Sequence, residues 1–156
     1  MLRVLTVNAG PAAPGPEFVV VTTADSIAPG GMKNYRAFGR EIVLCNTGGR
    51  FYALARRCGH MNAPLELGTL DGTIVTCPMH CAQFDVVTGA ALCGPVPESL
   101  GSEVVPKRLA KFLGEVAMYV NQVATEDVLV YEAKVEAGQV LVAVPRRGAR
   151  HALPPR

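Results

Sequence analysis

Two short motifs, Cys58-Gly59-His60 and Cys77-Pro78-Met79-His80, constrain the fold of this chain more than any other feature. Each contributes one sulfur and one nitrogen ligand from a segment too short to be anything but a loop. Glycine and proline in and around the motifs allow tight turns, in which backbone amides can point at the cysteine sulfurs. We therefore expect two loops that come together around one metal centre, with these ligands: Cys58, His60, Cys77 and His80.

This ligand set is compatible with two kinds of metal centre. A 2Fe-2S cluster can be held by two cysteines on one iron and two histidines on the other, and the neutral imidazoles raise its reduction potential. A structural zinc ion also takes two cysteines and two histidines, but zinc fingers typically pair the cysteines in one arm and the histidines in the other. Because each arm here carries one of each, the spacing favours the cluster and the transfer of single electrons; a structural zinc module is the alternative.

Size and charge predict one domain that binds neither nucleic acid nor membrane. A chain of 156 residues is long enough for one hydrophobic core and too short for two ordinary domains. Of its 15 basic residues, four lie near the C-terminus, so the net charge of +2 does not indicate a basic patch on the folded body. These four are Arg146, Arg147, Arg150 and Arg156.

The chain also lacks the sequence signals of export and of membrane insertion. No run approaches the roughly 20 apolar residues that span a bilayer, and the N-terminus does not resemble a secretion signal. Five cysteines, two of them in the ligand motifs, fit a metal centre better than a disulfide framework. We therefore expect a soluble protein of the reducing cytoplasm.

Short apolar or alternating runs separated by glycine and proline predict an all-β domain over residues 17–145. Asn46-Thr47-Gly48-Gly49 lies between two such runs and predicts a hairpin turn. The proline- and glycine-containing residues 1–16 are expected to form a flexible N-terminal arm, and residues 146–156 a basic C-terminal tail.

Residues 98–127 interrupt the β pattern. Apolar residues recur at spacings of three and four between Leu109 and Val123, and Pro106 suits a first helical turn. We expect an inserted amphipathic helix whose apolar stripe packs on the β domain as ordinary core. Burial of that stripe against another subunit or a redox partner is the alternative.

Further short motifs accompany the two ligand motifs. They are Pro64-Leu65, Leu70-Asp71-Gly72, Phe84-Asp85, Thr88-Gly89 and Gly94-Pro95-Val96-Pro97. With them the chain resembles the Rieske ferredoxins, which are components of ring-hydroxylating oxygenase systems. The resemblance covers residues 18–144 apart from the helical stretch.

This resemblance implies a Rieske β sandwich of three antiparallel sheets, with a cluster-binding subdomain closed by the proline-bearing loop 94–97. It implies a Rieske-type 2Fe-2S cluster on the four predicted ligands, Cys58, His60, Cys77 and His80. In the family the histidine edge of the cluster is exposed to solvent. Both histidines should therefore lie at the tip of the molecule beside Met61, Met79 and Pro95.

The resemblance also implies a function, that of a one-electron carrier rather than an enzyme. Its donor would be a flavin-dependent reductase and its acceptor a terminal oxygenase such as an aromatic-ring dioxygenase, both bound transiently. No motif for a second cofactor or a mononuclear iron site accompanies the cluster motifs. A small Rieske-type subunit bound stably to a larger oxidoreductase is the alternative, and the oligomeric state stays open.

Two departures from the family pattern concern the cluster. High-potential members have an additional cysteine in each ligand loop and a serine near a bridging sulfide, whereas this chain has Met79 and Ala82 at two of those positions. We therefore expect a reduction potential on the order of −150 to −50 mV. Cys81 replaces the usual glycine after the second histidine, and we expect it to be an inert packed thiol, like Cys45 and Cys93.

Overall fold

The structure is a computed structural model that describes residues 17–95, 115–116 and 118–145. The predicted N-terminal arm, the predicted C-terminal tail and insertion residues 98–114 lie outside the described residues. Within the described ranges the chain forms the following strands: β1 (Glu17–Thr23), β2 (Met32–Ala37), β3 (Arg40–Thr47), β4 (Arg50–Ala55), β5 (Thr69–Asp71), β6 (Ile74–Thr76), β7 (Gln83–Asp85), β8 (Ala91–Cys93), β9 (Val130–Tyr131), β10 (Ala133–Glu136) and β11 (Gln139–Val144). Two short 3-10 helices span Ala24–Ser26 and Leu65–Leu67.

The strands form three antiparallel sheets, in the orders β1-β11-β10, β2-β3-β4-β9 and β5-β6-β7-β8. This arrangement confirms the predicted all-β fold of three antiparallel sheets. The predicted hairpin turn joins β3 to β4, where Thr47 pairs with Arg50 across the two strands. Gly48 and Gly49 both have positive φ, of 69° and 97°, a conformation that residues with a Cβ rarely adopt.

Strand β3 lies at the centre of the fold because both of its faces are buried. Val43 and Cys45 contact one core cluster, which includes the two predicted cysteine ligands, whereas Ile42 and Leu44 contact a second cluster under β11. All four side chains are fully buried, and burial of each large aliphatic side chain contributes roughly 1.5–3 kcal/mol. Strand β3 therefore joins the sheet β5-β6-β7-β8 to the remainder of the domain.

The inserted helix differs from its prediction. Residues 115, 116 and 118–120 are α-helical, and the chain then turns, so Val123 lies beyond the helix. Val116 and Val123 are each 41% exposed, and no described residue of the insertion belongs to either core cluster. Val116 and Val123 therefore do not pack as ordinary core, Val120 is half-buried, and the stripe residues Leu109, Phe112 and Leu113 lie outside the described residues. No helix within the described residues is long and apolar enough to cross a membrane.

Candidate metal centre

The first ligand loop connects β4 to the 3-10 helix Leu65–Leu67. The Cys58 N–H donates to Ala63 O at 2.9 Å, and the Asn62 N–H donates to Cys58 O at 3.0 Å. Asn62 adopts the left-handed conformation, with φ 58°. These bonds close the loop into a tight turn that carries Cys58 and His60 on the same short segment.

The second ligand loop, between β6 and β7, repeats this geometry. The Cys77 N–H donates to Ala82 O at 2.8 Å, and the Cys81 N–H donates to Cys77 O at 3.2 Å. Cys81 has φ 58°, the same value as Asn62 at the equivalent place in the first loop. A residue with a Cβ costs roughly 1–2 kcal/mol in this conformation, which explains why glycine suits the position. The chain nevertheless forms the turn with cysteine.

Cys58 and Cys77 are both 2% exposed, and their side chains interact with each other. The hydrogen bond from Cys58 lowers the pKa of Cys77 to about 5, against the effect of burial, and backbone amides act in the same direction. The same hydrogen bond and burial raise the pKa of Cys58. The His60 N–H lies 3.5 Å from the Cys58 sulfur. The pair is thus arranged to stabilise thiolate, the form of cysteine that binds metal.

The two histidine rings form a second pair. Their centroids are 5.0 Å apart, with an interplanar angle of 79°. The Nδ1 atoms of His60 and His80 are both buried and have no hydrogen-bond partner among the residues that the structure describes. Buried ring nitrogens are normally partnered, so two neighbouring unpartnered ones indicate atoms reserved for metal ligation.

His60 has a partner on its other ring nitrogen. Its Nε2 lies 3.0 Å from the backbone oxygen of Val120. A carbonyl oxygen only accepts, so the hydrogen must be on Nε2, which leaves the Nδ1 lone pair free for a metal ion. Sequence reasoning missed Val120, because a backbone carbonyl gives no residue-type signal.

The four predicted ligands are thus brought together as two pairs, sulfur with sulfur and nitrogen with nitrogen. Within the part of the chain that the structure describes, no three histidine, cysteine or acidic side chains converge on a point where one ion could be held. A tetrahedral zinc ion requires all four ligands around one centre. A 2Fe-2S cluster requires one pair for each iron, so the sulfur pair and the nitrogen pair fit the cluster.

The exposure of the histidines corrects one expectation. Met61 and Met79 are 44% and 57% exposed, and His80 is partly exposed, as expected for the tip of the molecule. His60, however, is only 6% exposed. The prediction that both histidines face solvent is therefore wrong for His60, because the insertion lies against its outer edge at Val120.

A network of ion pairs holds the first ligand loop in place. Glu41 on β3 accepts hydrogen bonds from Arg56 at 2.9 Å and from Arg57 at 2.9 Å, the two residues that precede Cys58. Arg56 also donates to Glu66, whose side chain is 6% exposed. The network ties the loop to β3 on one side and to the 3-10 helix on the other.

Loss of this network should contribute to destabilisation in acid. Hydrogen bonds from Arg57 and then Arg36 lower the pKa of Glu41 from 4.5 to about 2. A lowered folded-state pKa stabilises the fold above pH 4.5, and this contribution should disappear as the pH falls towards about 2. We therefore expect Glu41→Gln to lower the free energy of unfolding at neutral pH, with a difference from wild type that shrinks through this window.

The measurement is urea denaturation at several pH values of protein prepared without iron and sulfide, because acid would remove a bound cluster. Glu136→Gln is the matched control, because Glu136 is exposed and pairs with Lys134 at 2.8 Å on the protein surface. At neutral pH, Glu136→Gln should lower the free energy of unfolding less than Glu41→Gln does. Equal effects of the two substitutions at every pH would contradict a special role for Glu41.

Comparison with known proteins agrees with this geometry. Residues 17–112 match the family described as Rieske [2Fe-2S] domain. The ferredoxin component of the naphthalene 1,2-dioxygenase system of Pseudomonas putida is 32% identical over 84 residues, which cover 54% of this chain and 81% of that protein. The 3-phenylpropionate/cinnamic acid dioxygenase ferredoxin subunit of Escherichia coli (strain K12) is 48% identical over 60 residues, 38% of this chain and 57% of that protein.

Solved structures show the same likeness. The ferredoxin of carbazole 1,9a-dioxygenase from Nocardioides aromaticivorans IC177 superposes with a TM-score of 0.60 at 25% identity, over 81% of this chain and 97% of that one. A chain from the complex of reduced oxygenase and oxidized ferredoxin in carbazole 1,9a-dioxygenase gives a TM-score of 0.59 at 27% identity, over 80% of this chain and 100% of that one.

Proposed function

Because the chain belongs to the Rieske [2Fe-2S] domain family, we propose that it carries single electrons from a flavin-dependent reductase to a terminal oxygenase. Its cofactor is a Rieske-type 2Fe-2S cluster, which supplies a reversible one-electron couple when bound. The relatives are named as ferredoxin components, and this chain is likewise an electron carrier rather than an enzyme.

One observation supports the ligand assignment above all others, namely the pairing of donor atoms. Cys58 and Cys77 present two sulfurs in a buried, amide-lined position that suits one iron. His60 and His80 present two buried Nδ1 atoms, without hydrogen-bond partners in the described ranges, that suit the other iron. In this assignment the imidazole end lies nearer the surface, since His80 is partly exposed while both cysteines are buried.

The partners follow from the relatives. A ferredoxin similar to this chain was solved in complex with an oxygenase, which supports an oxygenase as the electron acceptor here. Transient carriers use small interfaces that exchange rapidly, so we expect the protein to stay free of its partner at micromolar concentration. None of the five cysteines forms a disulfide, which suits a reducing cytoplasm, and we propose this as the location of the protein.

The test begins with protein loaded with iron and sulfide. After reduction, electron paramagnetic resonance should detect one unpaired electron coupled to two nitrogen nuclei, and redox titration should give one electron per chain. The reduced protein should then pass its electron to the oxygenase component of the naphthalene 1,2-dioxygenase system from Pseudomonas putida in a stopped-flow experiment. A colourless zinc protein, or a cluster without nitrogen coupling, would contradict the ligand assignment.

A further inference from the structure

Residues 118–128, named here the strap, cross the first ligand loop and the loop between β7 and β8. The Glu126 N–H donates to Gly59 O at 3.1 Å, and a Cβ on Gly59 would lie 1.9 Å from Glu126 O. The Val128 N–H donates to Gly89 O at 2.8 Å, and a Cβ on Gly89 would lie 2.0 Å from Val128 O. The C-terminal half of the strap is thus held against both loops by contacts that only glycine permits.

The N-terminal half of the strap closes one side of the metal centre. Val120 O accepts the hydrogen bond from His60 Nε2, and His60 is 6% exposed. His80 remains partly exposed, next to the covered ring of His60. The two imidazoles are therefore not equivalent, and a partner protein can approach His80 more closely than His60.

Four large exposed side chains are sequence neighbours of the residues at this opening. Met61 and Met79 adjoin the two histidines in sequence, and Met118 and Tyr119 on the strap adjoin Val120. Met61 is 44% exposed, Met79 and Met118 are each 57% exposed, and Tyr119 is 69% exposed. Methionine adapts its shape to different surfaces and tyrosine is enriched at interfaces, so exposed clusters of these residues indicate protein contact.

The strap also has a charge preference. It carries two exposed acidic residues, Glu126 and Asp127, and no lysine or arginine. A partner surface with an apolar centre and basic side chains at its rim would complement this combination.

We infer that electrons enter and leave on the His80 side, across a docking face formed by Met61, Met79, Met118 and Tyr119. The strap covers His60 and supplies half of this face, so the insertion determines which partner fits. The partner is the terminal oxygenase, presenting an apolar patch with a basic rim. This inference rests on the proposed function, since it specifies where the proposed electron transfer takes place.

The first experiment needs no partner protein. Electron self-exchange between reduced and oxidised copies of the cluster-loaded protein is measured by rapid mixing and freeze-quench spectroscopy, with one copy labelled with 57Fe. Met79→Glu and Tyr119→Glu should each slow self-exchange by roughly tenfold, because the new charges are forced together when two copies meet at this face. Val135→Glu is the matched control, because Val135 is 45% exposed on β10 in a different sheet and the substitution gives the same net charge.

The second experiment measures electron transfer to the oxygenase component of the Pseudomonas putida naphthalene 1,2-dioxygenase system. The rate of electron transfer to this oxygenase should be lower for Met79→Glu and Tyr119→Glu than for Val135→Glu, by a similar factor. The spectra of the cluster should be unchanged in all three variants. Added salt should lower the rate of electron transfer by the wild type, since it screens the attraction between the acidic strap and a basic rim on the partner.

The outcomes separate this inference from the proposed function. Self-exchange rates of both variants equal to that of Val135→Glu would overturn the docking face, and slowing by Met79→Glu alone would overturn the part assigned to the strap. A wild type that self-exchanges but does not reduce the oxygenase would contradict the proposed function and the choice of partner, while self-exchange still decides the position of the face. An oxygenase rate that salt does not lower would overturn the basic rim.

Discussion

Replacement of Cys77 with alanine is expected to leave the protein colourless and to remove nearly all of its bound iron and acid-labile sulfide. Cys77 is one of the two buried cysteines proposed to hold one of the irons. Without it, only Cys58 remains to hold the iron at the buried end. Because cluster binding adds to folding stability, Cys77→Ala should also unfold at lower denaturant concentration than the loaded wild type.

Iron and sulfide assays together with the visible absorption spectrum measure this effect. Cys81→Gly is the control, since Cys81 lies beside His80 in the same loop and is not a proposed ligand. Its backbone has φ 58°, so glycine should retain the cluster and relieve strain of about 1 kcal/mol. Loss of the cluster in Cys81→Gly, or its retention in Cys77→Ala, would show that the ligands are assigned wrongly.

Replacement of Gly59 with alanine is expected to destabilise the protein by about 1–3 kcal/mol through overpacking. The new Cβ would lie 1.9 Å from Glu126 O and 2.8 Å from Glu126 C, and both are backbone atoms that cannot rotate away. Either the first ligand loop or the strap must move. Chemical denaturation of the loaded protein measures the cost, and hydrogen exchange at the Glu126 amide should become faster because its bond to Gly59 O is broken.

Gly94→Ala is the matched control for this prediction. A Cβ on Gly94 would meet only Thr125 Oγ1, at 3.6 Å, which is an ordinary van der Waals distance. The substitution should change stability by no more than about 0.5 kcal/mol. If Gly59→Ala were as stable as Gly94→Ala, the strap would not be pressed against the ligand loop as the structure shows.

Much of the fold was predictable from residue types because it depends on local chemistry. Alternating apolar residues and the Gly48-Gly49 turn predict antiparallel strands, and the structure confirms both. The periodicity of the insertion predicts a helix, and residues 118–120 are helical. The stripe residues Val116 and Val123 are exposed rather than packed as core, because an apolar stripe does not specify which surface covers it; Leu109, Phe112 and Leu113 lie outside the described residues.

For the metal centre, the amino-acid sequence alone predicts which side chains act as ligands, since thiol and imidazole chemistry and loop spacing are properties of the residues themselves. Only the tertiary structure decided how those ligands are paired, which ring nitrogens are free and which histidine is covered. The physical reason is that these features depend on backbone atoms far away in the chain, above all Val120 O against His60 and Glu126 O against Gly59. Every residue carries the same backbone carbonyl, so its position becomes known only when the chain has folded.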